Sequence, residues 1–518
     1  MFTKVNSVGI RGIDGVLVGV EADAGDGLPS FAMVGYLASE VKEAQDRVRT
    51  ALKNSGFSPR ARKVTVNLSP ANIRKAGTAY DLPIALAVLG AYGLIELGEC
   101  GEWAAVGELG LDGRIKPVSG VMTMVMAARA AGLKSVMVPM ENVREGRVVE
   151  QMEIVGAASL NQAVELLKAR RSRKDGRFAD EEKEADEGPE YEAGGGEAVD
   201  FREVNGQRFL RRAAEIAAAG MHNLLMTGPA GTGKTMIARR LPTILPSLTR
   251  EEDMEISRIH SICGLLPHDR PLLGRRPFRS PHHTVTPQAL AGGGRPLKPG
   301  ELSLASGGVL FLDELTLFNR SAVEVLRQPL EEQRIAINRV EGSYELPADF
   351  MLCAAFNSCP CGWYPDRNRC HCTQAQIDRY LGRLSKPILE RFDLCVQAAP
   401  VSYEELVKED GENEDSASIR RRVEAARKRQ ERRFEGLSCR FNSRMGQKEI
   451  RRFCPLGKEE EAFLEQIYKK NQLSARTCHK VLKVARTIAD LEGAERISRL
   501  HLAEAAGYRT LEERIWGN

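Results

Sequence analysis

Eight consecutive residues, Gly228, Pro229, Ala230, Gly231, Thr232, Gly233, Lys234 and Thr235, follow the G-x-x-x-x-G-K-[ST] spacing. That spacing suits phosphate chemistry: glycines let backbone N–H groups close around phosphoryl oxygens, a lysine reaches the terminal phosphates, and a hydroxyl joins a Mg²⁺ shell. Here those roles fall to the N–H groups from Gly231 to Lys234, to the Lys234 ammonium and to the Thr235 hydroxyl. Farther along, Asp313 and Glu314 close the apolar run Val309–Leu312. Two adjacent carboxylates at a strand's C-terminal edge suit hydrolysis, the first holding Mg²⁺ and the second orienting and deprotonating water. The bland readings are a Gly-rich turn with a chance lysine and a solvated acidic turn. Eight matched positions, and acids placed where a sheet opens to ligand, argue against both. The two motifs together predict a site for MgATP binding and hydrolysis.

Such a site has to be carried by strands that end side by side. HNLLMTG reads as a buried strand running into the glycine loop, and TMIARRL continues it as a helix. With GVLFLDEL and FMLCAAFN it makes three short apolar runs spaced by helical or loop-rich segments, which predicts a doubly wound parallel α/β sheet over residues 200–400. Residues 401–518 turn helical, with segments Gly446–Arg452, Lys458–Lys470, Ala475–Glu492 and Arg499–Arg509, and predict a helical lid. Residues 169–199 are charged, poor in large apolar side chains and carry a Gly triplet, the signature of a solvated linker. Ahead of the linker, residues 1–168 mix strand-like runs (Val16–Glu21, Lys63–Leu68, Ser135–Val138) with helical patterns (Glu40–Ser55, Val121–Ala131) and predict a separate α/β domain.

Composition bounds the remaining classes. A chain of 518 residues, 42% hydrophobic and 28% charged, supports several globular cores. Its most apolar stretch, Leu82–Leu94, contains Pro83 and is closed by Asp81 and Glu96, so it is shorter than the ~20 residues of a membrane span and predicts a buried helix. The first residues alternate apolar with polar and lack the pattern of a signal peptide, so a cytoplasmic location is expected. A net charge of +4 against 74 basic and 70 acidic residues does not announce a nucleic-acid partner.

Among 11 cysteines, Cys359, Cys361, Cys370 and Cys372 form two C-x-C pairs separated by eight residues, bringing four thiolates within reach of one tetrahedral ion. Structural zinc is one reading. Bare reduced thiols are the other, because C-x-C departs from the common C-x₂-C. His282 and His283 could be read as metal ligands, but no further ligand lies at a helical offset and a hydrogen-bonding loop role is favoured.

Residues from about 200 to 510 resemble the AAA+ magnesium-chelatase-like ATPases, and the whole chain resembles the YifB/ComM family. The strings that carry the resemblance are FREVNGQ (201–207), AAGMHNLLMTGPAGTGKT (218–235), FRSPHHTVT (278–286), PGELSLASGGVLFLDEL (299–315), NSCPCG (357–362) and LSARTCHKVLKVARTIADLEG (473–493). The resemblance implies that Asn357 is a sensor positioning water, with a plain strand-end turn as the alternative. It also implies that Arg391 is a finger acting on a neighbouring subunit's phosphates, and that Arg476 is a second sensor reporting nucleotide state to the lid. Finger chemistry requires an oligomer, and the family implies a hexameric ring. The loop around His282 resembles an insertion facing the pore, and the hairpin over residues 334–348 resembles one that touches DNA in relatives, with Arg334 and Arg339 available to phosphates.

Residues 1–168 resemble a Lon-protease-type fold through NLSPANIRKAGTAYDLPIALAVL and VGELGLDGRIKPVSGVMTMVMAARAAGLKSVMVP. The protease chemistry does not carry over: Ala79 and Met122 stand where the serine nucleophile and lysine base belong, and no lysine lies between Lys116 and Lys134. A neighbouring Thr78 could shift the nucleophile by one position but would still lack a base. Arg60, Arg62, Lys63, Arg74 and Lys75 offer a phosphate-binding patch or ordinary solvated charge, and residues 420–433 offer a basic helix with the same two readings.

The family resemblance implies a cytoplasmic hexameric motor that uses ATP to move single-stranded or branched DNA, as in branch migration during recombination and natural transformation. A chaperone or metal-chelatase-type subunit that remodels a protein partner is the alternative. A third reading, a DNA-binding switch without motor activity, is disfavoured by the presence of Glu314, Arg391 and Arg476.

Overall fold

The computed structural model describes residues 1–58, 62–97, 102–172, 199–267, 270–339, 342–401, 403 and 413–509. In the N-terminal domain seven strands form one mixed sheet. Their spatial order is Ser30–Val34, Lys63–Ser69, Asp14–Gly25, Phe2–Arg11, Trp103–Ala105, Ser135–Pro139 and Glu153–Ala157. The long Phe2–Arg11 and Asp14–Gly25 strands pair antiparallel, whereas the last three follow parallel to Phe2–Arg11. Helix Asp81–Ala91 is buried along its whole length, because apolar side chains surround it and its one acid, Asp81, is neutralised by Arg47 at 2.7 and 2.9 Å. The predicted helix over Glu40–Ser55 is two segments, Ser39–Lys42 and Ala44–Asn54, that meet at Glu43.

The N-terminal domain ends later than its sequence suggests. Helix Leu160–Ser172 carries four residues past the expected boundary at 168. Arg170 is buried, lies 3.5 Å from Glu102 and stacks over Trp103, so an apparent linker residue closes the domain. Most of the predicted linker, residues 173–198, lies outside the described residues.

The second sheet has five parallel strands in the order Phe278–Arg279, Val309–Leu312, Met351–Phe356, Leu224–Thr227 and Leu394–Gln397. The first and last add to the three strands expected from sequence: Phe278–Arg279 is too short to show a pattern, and Leu394–Gln397, as long and as apolar as Leu224–Thr227, has no adjoining motif to mark it. Along Met351–Phe356 alternate side chains enter two different cores. Met351, Cys353 and Ala355 pack with the C-terminal helices, and Leu352, Ala354 and Phe356 pack with Phe350, Ile388 and Phe392. Burial on both faces explains why this strand reads as an unbroken apolar run.

The C-terminal helices include Ser416–Arg433, Gln447–Phe453, Lys458–Lys470, Ala475–Glu492 and Arg499–Gly507. They share one apolar cluster with the ATPase-like sheet: Val423, Val484 and Ile488 pack with Leu210, Ala217 and Met226. Helix Val121–Ala130 of the N-terminal domain packs against helix Arg250–Ile262, where Met254 joins the same apolar cluster as Val121 and Val125. The Ser261 hydroxyl donates to Glu145, and Arg250 lies 2.9 Å from Glu150, so the N-terminal domain is seated directly on the central one.

Candidate nucleotide site

The glycine loop leaves strand Leu224–Thr227 and enters helix Lys234–Ile244. Gly228 is required by space: at φ +146° its Cβ would stand 2.7 Å from the Ala398 carbonyl oxygen. Gly233 caps the helix in the left-handed region, which turns the chain so that the helix begins at Lys234. The first N–H groups of any helix lack intrahelical acceptors, so this turn leaves donors at the mouth of the loop.

Residues 230–236, Asp313, Glu314, Phe356 and Asn357 line one cavity of about 400 Å³. Strands from three distant segments end there together, as parallel pairing demands. The Lys234 ammonium donates to the carbonyls of Gly228 and Pro229 at 2.8 and 2.7 Å and to Asn357 Oδ1 at 3.2 Å. Burial draws the Lys234 ammonium down to about 8, with Asp313 acting in the opposite direction. The Thr235 hydroxyl donates to Asp313 Oδ2 at 2.8 Å, placing a hydroxyl and a carboxylate where both oxygens can serve one hard cation. Their chemistry fits Mg²⁺, which prefers oxygen ligands and completes its shell with water and phosphate. Glu314 is exposed to the cavity and adopts left-handed backbone geometry at φ +52°, an uncommon state for a side-chain-bearing residue that is typical of functional sites.

Sequence reasoning did not single out Tyr380. Burial raises its phenol, Thr316 and the Asn357 backbone act in the opposite direction, and the charges of Glu314 and Cys359 raise it again. Nor did it single out His222, Asn223 and Asp393. Asn223 donates its backbone N–H to Asp393 Oδ2 at 3.0 Å and its amide to the Arg391 carbonyl at 3.0 Å. Lys480 from the lid lies 3.2 Å from Asp393 Oδ1 and donates to the Phe392 carbonyl at 2.8 Å. Although burial opposes it, Lys480 and His222 hold the Asp393 carboxyl well below the usual range. The only sequence signal was a polar His-Asn pair entering an apolar strand.

Arg391 and Arg476 do not reach this chain's cavity. Arg391 pairs with Glu331, while Arg476, 74% exposed, lies 3.7 Å from Glu390 at the second residue of helix Ala475–Glu492. The two arginines therefore share a neighbourhood at residues 390–391, away from the lysine and carboxylates.

Elsewhere the candidate residues divide. Cys359, Cys361, Cys370 and Cys372 are brought together by the loop after the Asn357 strand. His282 is bonded to Thr284 at 2.9 Å and lies tilted against His283 with ring centroids 4.0 Å apart, consistent with the loop role; among the described residues neither joins a group of potential metal ligands. Hairpin strands Arg334–Arg339 and Gly342–Pro347 pair as expected, although Glu341 lies outside the described residues. Arg334 is 3.2 Å from Glu345, and Arg339 donates to the Gly294 carbonyl.

Ala79 and Met122 are buried in one apolar cluster, and Thr78 donates to Glu108, so neither alignment yields a nucleophile and base. Of the basic residues near the central strand, Lys75 is withdrawn from the surface, 1% exposed and bonded to the Pro70 carbonyl; Arg60 lies outside the described residues. On helix Ser416–Arg433, Arg422 pairs with Glu215 and Glu414, Arg433 pairs with Asp490, and Arg420 donates to the Thr243 carbonyl at 2.8 Å. The helix is a packed connector.

Comparison with known proteins agrees along nearly the full chain. A family described as "Magnesium chelatase, subunit ChlI" matches residues 200–406. Two further families, "Subunit ChlI of Mg-chelatase" and "Magnesium chelatase, subunit ChlI C-terminal", match residues 20–142 and 413–509. The chain is 39% identical to the competence protein ComM of Haemophilus influenzae, covering 96% of each. It is 40% identical to YifB of Salmonella typhimurium over 97% of this chain and 96% of the relative. A Lon protease of Mycolicibacterium smegmatis is 29% identical over 140 residues, 26% of this chain and 18% of the protease. No described helix is long and apolar enough to cross a membrane.

Proposed function

Because the chain belongs to the YifB/ComM family of magnesium-chelatase-like AAA+ proteins, we propose that it hydrolyses ATP with Mg²⁺ and couples hydrolysis to movement of single-stranded or branched DNA. The observation that carries the ATPase reading is the convergence of Lys234, Thr235, Asp313, Glu314 and Asn357 on one cavity. In that reading Lys234 would exchange its carbonyl partners for β- and γ-phosphate oxygens, and Thr235 and Asp313 would hold Mg²⁺, whose charge would offset that developing on the phosphates. Glu314 takes the proton from the attacking water while Asn357 orients it.

Arg391 and Arg476 complete the site of an adjacent subunit, consistent with their joint distance from the chain's own cavity, and a hexameric ring in the cytoplasm is the assembly proposed. A role in competence is supported by the name of the Haemophilus relative. The hairpin arginines Arg334 and Arg339 are the residues proposed to meet DNA phosphates, since exposed ion pairs such as Arg334–Glu345 are weak enough to exchange. The names of the matching families favour a second reading, a chelatase-type or chaperone subunit acting on a protein partner.

ATP turnover measured with and without single-stranded and junction DNA separates the two, with Glu314→Gln as the inactive control. DNA that neither accelerates turnover nor shifts in a gel at modest salt removes the motor reading.

A further inference from the structure

The four cysteines after the Asn357 strand converge although the two pairs are eight residues apart in sequence. All four sulfurs lie within 4.8 Å of one another. Cys359 and Cys361 stand 3.3 Å apart, Cys361 and Cys370 3.6 Å, and Cys359 and Cys370 3.7 Å. A disulfide would bring one pair to about 2.05 Å. Four thiolates at about 2.3 Å from a tetrahedral zinc ion lie about 3.8 Å from one another, close to the spacing here.

The surroundings suit an ion. Cys359 and Cys370 are buried, and the Tyr364 N–H donates to Cys359 Sγ at 3.4 Å, the kind of outer hydrogen bond that steadies a metal-bound thiolate. Four thiolates around Zn²⁺ carry a net charge of about −2. Two cations are held alongside: Arg367 stacks over Tyr364 and Arg369 over Trp363, each at 4.9 Å, and Arg367 also donates to the Cys372 carbonyl at 3.1 Å.

The loop also abuts the nucleotide cavity. Its residue Gly362 donates its N–H to the Cys359 carbonyl at 3.0 Å. A Cβ on Gly362 would lie 3.6 Å from Ala230 Cβ and 3.9 Å from Asn357 Cγ, so the cysteine loop faces both the glycine loop and the strand-end amide across a space that one methyl group would fill. We propose that Cys359, Cys361, Cys370 and Cys372 bind one zinc ion, and that the ion braces the glycine loop and Asn357 through Gly362, making nucleotide affinity depend on the metal. Binding releases the thiol protons to solvent and leaves zinc's oxidation state unchanged. The bracing role rests on the ATP-site reading above; the zinc site does not.

The test is metal analysis of the full-length chain purified without added metal, paired with titration of a fluorescent ATP analogue. The expected result is about one zinc per chain. Cys372→Ser should lower zinc toward zero and weaken the analogue about 10-fold. Cys372→His, which keeps a zinc ligand, should retain both, and Lys234→Ala should weaken the nucleotide about 100-fold while keeping the metal. Four freely reactive thiols without zinc, or iron in its place, would overturn the site. Zinc loss with unchanged nucleotide affinity would overturn the brace. If Cys372→Ser does not fold, stepwise chelation of the wild-type protein makes the same comparison, with affinity expected to fall as zinc leaves and to return on adding it back; affinity that ignores chelation overturns the brace. Wild-type protein that holds zinc but binds no ATP analogue counts against the ATP-site reading and leaves the zinc site standing.

Discussion

Lys234 Nζ lies 3.2 Å from Asn357 Oδ1, although the two residues are 123 positions apart in the chain. Parallel pairing of Leu224–Thr227 with Met351–Phe356 produces this meeting, because it ends both strands at the same edge. An ammonium whose partners are two carbonyls and an amide is poised to exchange them for phosphate oxygens. Lys234→Ala is therefore expected to weaken an ATP analogue about 100-fold, the scale of one lost hydrogen bond to a charged group. Fluorescence titration against the wild-type chain measures it.

The same ammonium predicts a pH dependence. Burial first of all sets free Lys234 at about 8, and phosphate contact should raise it. Since the value is higher in the complex than in the free protein, binding takes up a proton above pH 8. Affinity is then full below that value and falls as pH rises, by up to about tenfold per unit. A dissociation constant that stays flat from pH 7 to 9.5 would contradict this placement of the lysine.

Glu314→Gln should separate binding from turnover. Removing a general base costs about 10²–10⁴ in rate, whereas a neutral isostere in an open cavity leaves nucleotide affinity near wild type. Single-turnover hydrolysis and equilibrium binding on the same preparation distinguish the two effects; parallel loss of both would assign Glu314 a structural role.

If Arg391 and Arg476 serve a neighbour's site, their loss can be complemented. Arg391→Ala and Lys234→Ala chains should each be inactive alone and should recover turnover when mixed, because one supplies the lysine and the other the guanidinium. Mixtures that stay inactive after subunit exchange has been demonstrated would exclude sharing.

Asp490 tests the lid's attachment to its own helices. It is fully buried, with Arg433 Nη1 at 2.7 Å, Asn442 Nδ2 at 2.8 Å and Arg486 Nη2 at 3.1 Å. Asp490→Ala leaves two guanidinium groups without their carboxylate and should destabilise the C-terminal region by about 3–5 kcal/mol. Thermal melting followed by circular dichroism reads the loss.

Local spacing was enough to identify the glycine loop, the Asp313–Glu314 pair, the paired cysteines and the helices over Lys458–Lys470 and Ala475–Glu492. Each is a pattern whose chemistry or periodicity is complete within about 20 residues. That neither Ala79 nor Met122 can attack or take a proton was also legible, because side-chain type alone decides it.

What sequence could not supply were relations across the fold. Lys75 resembled a surface cation until burial against the Pro70 carbonyl removed it. Arg170 resembled a linker residue but closes the first domain over Trp103. The basic run from Arg420 to Arg433 became a packed helix once acids from distant segments faced it. Sequence by itself determined which residues can bind phosphate, hold a metal or move a proton, since those capacities belong to side-chain chemistry. Only the tertiary structure decided which of them meet: parallel strand order places Lys234, Asp313 and Asn357 at one cavity, while pairing with Glu331 and Glu390 holds Arg391 and Arg476 outside it.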